Sequence, residues 1–173
     1  MRFALPILLI PGWLFAPAAA AAPGVYQPPA AFVREAFGGN APAPKTLWID
    51  DALAREIGAI LGHPPDGRRL RYWRRGARTA WVLDEIGKER PITVGIVVDA
   101  GRIERVQVLA FRESRGWEVR HPFFTDQFRA ATLTGKHELD RDIDGISGAT
   151  LSVRALTRLA RLALFLDARV NAS

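Results

Sequence analysis

A hydroxyl-bearing segment, residues 144–150, stands directly before the clearest helical pattern in the chain. It reads DGISGAT and supplies one carboxylate, two hydroxyls and two glycines. Ser147 is of a type that caps helices, and Gly148 lets a backbone approach a ligand closely. Thr150 falls in the first helical turn, where free N–H groups and the helix dipole favour an anion. The segment therefore predicts either a hydroxyl beside a phosphate-binding helix start or a helix simply capped by Ser147.

The helix that follows is predicted over residues 151–169. Leucines recur along one face, and arginines line the other at positions 154, 158 and 161. We expect the leucine face to cover a hydrophobic core and the arginine face to be solvated rather than bound to a membrane. A second helix is predicted over residues 50–61, where apolar residues follow helical spacing and two aspartates stand at the start.

Between these helices, β-branched and aromatic residues predict strands over residues 70–73, 79–85, 92–99 and 103–112. A tight turn at residues 99–102 joins the last two as a hairpin. One face of such a meander must be covered, and the amphipathic last helix can cover it. The predicted class is α+β: an antiparallel, half-barrel-like sheet flanked by an N-terminal helix and a C-terminal amphipathic helix.

The N-terminus has the layout of a secretory signal peptide. Arg2 is followed by an apolar run over residues 3–15, with prolines inside it, and by a tract of small residues up to Ala22. The run is too short to span a membrane comfortably, although retention as an anchor stays open. We expect residues 1–22 to be the signal peptide, residues 23–45 a loosely packed Pro/Ala/Gly-rich arm with at most a short helical turn, and residues 46–173 the domain.

Composition narrows the classes of function. The chain has 173 residues, 24 basic and 18 acidic side chains, a net charge of +6 and no cysteine. The absence of cysteine excludes disulfides, thiolate metal sites and cysteine nucleophiles. The three histidines are scattered, and residues 140–151 lack the glutamate that a calcium-binding EF-hand loop needs at its end. No metal site is expected.

We expect no nucleic-acid partner for an exported protein. The excess of basic side chains then has two interpretations. The densest basic stretch, residues 68–78, contains six arginines together with Tyr72 and Trp73. It predicts either strands with solvated outer faces or a surface that docks an acidic partner or an anionic membrane.

The segment Asp144-x-x-Ser147-Gly148-Ala149-Thr150 resembles the flavinylation motif of the FMN-binding domain family, and it matches every defined position. The resemblance covers about residues 79–168 and includes residues 111–114, Gly116 and residues 124–128. Such domains occur in flavoprotein subunits of Rnf-type and sodium-pumping NADH:quinone reductase complexes and in small exported carriers.

In that family a Mg-dependent flavin transferase, with FAD as donor, esterifies the motif threonine to the phosphate of FMN. The resemblance therefore implies covalent FMN on Thr150, with recognition and cradle roles for Asp144, Ser147, Gly148 and Ala149. Glu113 is a further candidate for the cofactor region. The isoalloxazine ring needs an apolar surface, and the aromatic candidates, each of which can equally belong to the core, are Trp117, Phe123, Phe124 and Phe128.

The resulting expectation is a periplasmic or otherwise extracytoplasmic electron carrier rather than a stand-alone catalyst. It would pass electrons between a membrane-bound reductase and another extracytoplasmic redox centre. Two alternatives stay open. One is a module that binds flavin or another phosphate ligand non-covalently, without turnover. The other is an accessory subunit that docks through its arginines and carries no cofactor.

Overall fold

A computed structural model describes residues 24–172, so the predicted signal peptide lies outside the described residues. Within these residues, five strands follow one another: β1 Lys45–Trp48, β2 Arg69–Arg75, β3 Arg78–Ile86, β4 Pro91–Asp99 and β5 Arg102–Phe111. The same residues form four α-helices: α1 Pro29–Ala36, α2 Asp51–Leu61, α3 Pro122–Thr125 and α4 Thr150–Ala172. Short 3-10 turns flank α3 on both sides.

The strands form one open antiparallel sheet in the order β1-β2-β3-β4-β5. This meander with flanking helices confirms the predicted α+β class. The predicted hairpin is present, because Asp99 pairs with Arg102 across a two-residue turn. Ala100 and Gly101 both have positive φ there, at 49° and 74°, as the tight turns that suit the twist of paired strands require.

Helices α2 and α4 cover one face of the sheet. Alternate side chains of β4 point to this face and are fully buried, as are the leucines of α4 that the sequence pattern placed on one side. Trp81 of β3 lies at the centre, with its ring stacked 5.0 Å from that of Tyr72 on β2. The main hydrophobic core is therefore a sandwich of the sheet and these two helices.

A buried hydrogen-bond network joins the C-terminal part of α4 to β3. The Thr79 hydroxyl donates to Asp167 Oδ1 at 2.6 Å, and the Trp81 indole N–H donates to the Thr79 hydroxyl at 2.9 Å. The Asn171 amide also donates to Asp167 Oδ1, at 2.9 Å. Desolvation of the nearly inaccessible Asp167 outweighs these donors and raises the pKa of its carboxyl above the ordinary value.

Helix α1 packs on the opposite face, in the segment for which the sequence predicted a loosely packed arm. Phe32 is completely buried in a second, smaller core. A Cβ on Gly95 of β4 would lie only 2.6 Å from the Phe32 ring, so the absence of a side chain at Gly95 makes room for it. The arm also extends the sheet edge, where Val25 forms an antiparallel bridge with Ala110 of β5. Residues 23–45 thus include an ordered helix, in the part of the arm for which the sequence allowed a short helical turn.

Candidate functional site

The loop that precedes α4 carries the motif and is fastened by specific polar contacts. The Arg141 guanidinium donates to the backbone oxygens of Arg129 at 2.9 Å and Ala130 at 3.2 Å. The backbone N–H of Asp144 donates to the Gln127 side chain at 2.7 Å. These contacts hold the motif loop against the segment that follows α3.

Asp140 adds an ion pair to the same loop. Its carboxylate accepts from the Arg141 guanidinium at 3.0 Å and from the backbone N–H of Thr132 at 3.2 Å. These donors favour the charged form, and they lower the pKa of Asp140 to about 2. The carboxylate therefore stays ionised over the physiological range and supports the loop electrostatically.

A tight turn delivers Thr150 to the first position of α4. The Ala149 N–H donates to the Ile146 oxygen at 3.0 Å, and Gly148 has a φ of +82°, which only glycine adopts without strain. The first intrahelical bond joins the Val153 N–H to the Ala149 oxygen at 2.9 Å. The preceding N–H groups of the first turn therefore have no acceptor within the helix, and they are available to an anion.

Ser147 does not act as the helix cap that one reading of the sequence predicted. Ala149 occupies the capping position and has no side-chain acceptor to offer. The hydroxyls of Ser147 and Thr150 are exposed, and no hydrogen bond joins either to another described residue. The helix start is thus left without a side-chain cap, and Thr150 presents a free hydroxyl there.

An open cavity of about 470 Å³ lies beside this helix start. Its walls come from the first turn of α4 and its approach, from the chain after β5, and from the loop between β3 and β4. The lining residues are Gly148–Ser152, Glu113, Ser114, Arg115 and Lys88. The structure therefore brings Glu113 together with Gly148, Ala149 and Thr150. Asp144 and Ser147 precede the cavity in the motif loop and do not line it.

Glu113 holds the loop between β3 and β4 in place. One of its carboxylate oxygens accepts three successive backbone N–H groups, from Lys88 at 2.5 Å, Glu89 at 2.6 Å and Arg90 at 2.9 Å. Burial alone would raise the pKa of Glu113, but these three donors and the Lys88 charge outweigh it and lower the pKa. Glu113 is therefore an anion whose charge is already compensated by the backbone.

Gly116, which the resemblance covered without a role, fixes how closely the chain after β5 approaches α4. Its φ is +86°, and a Cβ there would lie 2.7 Å from the Ser152 hydroxyl oxygen and 3.4 Å from Ala149 Cβ. The backbone before it therefore lies against the first turn of α4. The chain requires glycine at this position both for its conformation and for its packing.

The four aromatic candidates divide into two pairs. Phe124 and Phe128 are completely buried and contact each other edge to face, so they belong to the core. Trp117 and Phe123 are 45% and 64% exposed, with the His121 ring in contact with both. Trp117 directly follows Gly116, which lies against the first turn of α4, so the Trp117 backbone is also close to that turn.

Metal-binding clusters and membrane-spanning helices are both absent from the described residues. Within residues 24–172, no group of three or more carboxylate or imidazole side chains is arranged to hold a metal ion. The same residues include no helix that is both long and apolar enough to cross a membrane.

Comparison with known families places the cavity inside a recognised domain. Residues 87–164 match the FMN-binding domain. The matched range begins at the loop held by Glu113, includes β4, β5 and the complete motif, and ends within α4. Comparisons with curated proteins and with solved structures gave no match.

Proposed function

Because residues 87–164 belong to the FMN-binding domain family, we propose that this protein is an exported electron carrier with FMN attached to Thr150 through a phosphoester. The family match supports FMN binding by this part of the chain. The surroundings of Thr150 support the proposed covalent bond, whereas the proposed export and carrier role rest on the sequence and its resemblance to the family.

The unpartnered hydroxyl of Thr150 at the start of α4 is the observation that carries the covalent assignment. It lines a cavity together with two cationic side chains, Lys88 and Arg115, and the helix offers free N–H groups at the same point. N–H groups and cations are the donors that bind phosphate oxygens. The residues present therefore fit the phosphate of FMN.

Attachment by a separate enzyme suits this site, because none of the described side chains lies within hydrogen-bond distance of the Thr150 hydroxyl to act as its base. In the proposed reaction a Mg-dependent flavin transferase uses FAD as the donor. The Thr150 oxygen forms a bond to the phosphorus of the FMN moiety, the pyrophosphate bond of FAD breaks, and AMP leaves. The hydroxyl proton passes to the transferase, and the product gains the mass of FMN less one water.

The protein's contribution after attachment is to hold the cofactor and set its surroundings. The flavin supplies one- or two-electron chemistry. Trp117 is the aromatic side chain best placed to contact the ring, because it is half exposed and follows the glycine that lies against α4. Phe124 and Phe128 are unavailable to the ring, since the core encloses them completely.

The proposed export and the proposed redox partners are supported by the sequence alone. The signal-peptide pattern of residues 1–22 supports export, and the domain would then lie outside the cytoplasm. A tether to the protein would prevent loss of FMN in that compartment. The electron donor is then a membrane-bound reductase, and the acceptor is another extracytoplasmic redox centre.

The test is intact-mass measurement after co-production of the full chain with an active flavin transferase. Wild type is expected to gain FMN less one water, and Thr150→Ala is expected to gain nothing. Thr157→Ala is the matched control, because Thr157 lies on the same helix but donates its hydroxyl to the Val153 oxygen at 2.9 Å. This control is expected to be modified like wild type.

Three outcomes would contradict parts of the proposal. An unmodified wild type, with a transferase that modifies another substrate, refutes covalent attachment. A Thr150→Ala variant that keeps FMN through gel filtration favours the non-covalent binding module. A wild type that neither gains mass nor retains FMN favours the accessory subunit without a cofactor.

A further inference from the structure

We propose that Arg115 is a phosphate-binding residue, whose guanidinium contacts the phosphodiester that joins FMN to Thr150. This inference rests on the proposed function and extends it to a residue outside the motif. Arg115 lines the same cavity as Thr150, although it comes from the chain after β5 rather than from α4.

The backbone on both sides of Arg115 is held in place. Glu113, two residues earlier, is fixed by its three hydrogen bonds to the loop between β3 and β4. Gly116, the next residue, lies against Ser152 and Ala149 in the first turn of α4. Arg115 is thus presented to the cavity from a position that these two contacts define, and little backbone order has to be gained when a ligand binds.

The charges around the cavity leave Arg115 as the available cation. Lys88 pairs with Glu89 at 3.2 Å, and Glu113 is compensated by backbone N–H groups. Arg115 is exposed and forms no hydrogen bond or ion pair with any other described residue. The charged side chains that line the cavity are Lys88, Arg115 and Glu113, and their net charge is +1. A phosphodiester carries one negative charge, which this net charge would balance.

The chemistry of the two groups also matches. Arginine remains charged at every physiological pH, and its planar fork donates two parallel hydrogen bonds to phosphate oxygens. The first-turn N–H groups of α4 lie on the other wall of the cavity. The two non-bridging oxygens of the diester would then be shared between the helix start and Arg115.

The experiment compares wild type, Arg115→Gln and Arg115→Lys. Arg55→Gln is the matched control, since Arg55 is an exposed arginine of α2 that also lacks a described partner. Each full-length protein is incubated with FAD, Mg²⁺ and transferase, and FMN attachment is followed by intact mass. The 31P NMR spectrum of each fully modified protein is then recorded.

We expect Arg115→Gln to slow attachment about tenfold, the effect of one charge-assisted hydrogen bond. We also expect it to shift the 31P resonance of the diester. Arg115→Lys should recover part of the rate, and Arg55→Gln should match wild type in both measurements.

An Arg115→Gln protein with the wild-type rate and the wild-type 31P resonance would overturn the inference. A slower rate with an unchanged resonance would also overturn it, and would assign Arg115 to recognition by the transferase. If wild type itself takes up no flavin, the covalent part of the proposed function fails instead, and the inference falls with it.

Discussion

Helix α4 buries a carboxylate near its C-terminal end and exposes a hydroxyl at its N-terminal end. Asp167 is almost inaccessible, and its polar neighbours Thr79, Trp81 and Asn171 all take part in one network. Thr150 is exposed, its helix start has no side-chain cap, and the cavity beside it is open. One helix thus has a buried, hydrogen-bonded carboxylate near its C-terminal end, although the neighbouring Asn171 Oδ1 has no partner among the described residues, and an accessible hydroxyl at its uncapped N-terminal end.

This difference indicates how the fold divides stability and binding. Buried polar groups that find partners stabilise one arrangement of a core, whereas free N–H groups at a helix start cost stability until a ligand pairs with them. Leucines of the middle and C-terminal parts of α4 supply most of its packing against the sheet. The first turn can therefore remain open for a phosphate without loss of the helix.

The largest expected effect comes from a pair of leucine truncations on α4. Leu166 is completely buried and Leu151 is 41% exposed. Leu166→Ala is expected to lower the free energy of unfolding by about 2–5 kcal/mol, because it leaves a cavity in the core. Leu151→Ala should change it by about 0.5 kcal/mol or less. Urea unfolding followed by circular dichroism measures both, and similar costs for the two variants would refute the division described above.

Substitution of two glycines near the N-terminal end of α4 is expected to have a smaller effect on stability, and the two can be compared directly. Gly148 and Gly116 have nearly equal φ values of +82° and +86°, but a Cβ on Gly148 meets nothing within 4 Å. Gly148→Ala should therefore cost only the conformational strain, about 1 kcal/mol. Gly116→Ala should add about 1–3 kcal/mol for the overlap with Ser152.

Denaturant unfolding of the two glycine variants checks this contrast. Pairing Gly116→Ala with Ser152→Ala is the control, and removal of the Ser152 hydroxyl should recover part of the added cost. Equal stabilities for the two single variants would show that the chain after β5 does not lie tightly against α4.

The smallest expected effect concerns the ion pair in the motif loop. Asp140 has a folded-state pKa of about 2, below its ordinary 3.8, so its contribution is present above pH 3.8 and is lost as the pH falls towards 2. Asp140 and Arg141 are partly exposed, which makes the contribution small. Asp140→Asn should lower the melting temperature at pH 6 by about 1–3 °C.

The same comparison at lower pH gives the sign of the effect. As the pH falls from 5 towards 3, the melting temperatures of wild type and Asp140→Asn are expected to converge. Arg129→Gln, which removes an exposed i,i+3 pair with Asp126, is a control for the loss of a surface charge. A difference that grows as the pH falls would contradict the assigned role of Asp140.

Local patterns were sufficient to predict much of the sheet and the last helix. Strands β3, β4 and β5 were predicted because their β-branched runs and turn residues are local signals. Strand β1 was not predicted, since its four residues alternate little and acquire order by pairing with β2. The packing of α1 depends on Phe32 meeting Gly95, a long-range contact that no local pattern contains.

The sequence predicts only those residues of the candidate site that lie next to one another in the motif. The position of Thr150 at a helix start followed from spacing, and the structure places it there. Lys88 and Arg115 gave no signal, because only folding brings them to one cavity with Thr150. The capping position went to Ala149 rather than Ser147, since the turn at Gly148 determines where the helix begins.

Locating the flavin within the modified protein tests most directly whether Thr150 carries FMN. Trypsin, which cleaves after arginine, releases residues 142–154, a peptide with three hydroxyl side chains: Ser147, Thr150 and Ser152. Fragmentation that preserves phosphoesters can distinguish them. We predict FMN phosphate on Thr150 alone, the exposed hydroxyl of this peptide that lines the cavity at the start of α4. Attachment to Ser147 or Ser152, or a peptide without flavin, would contradict it.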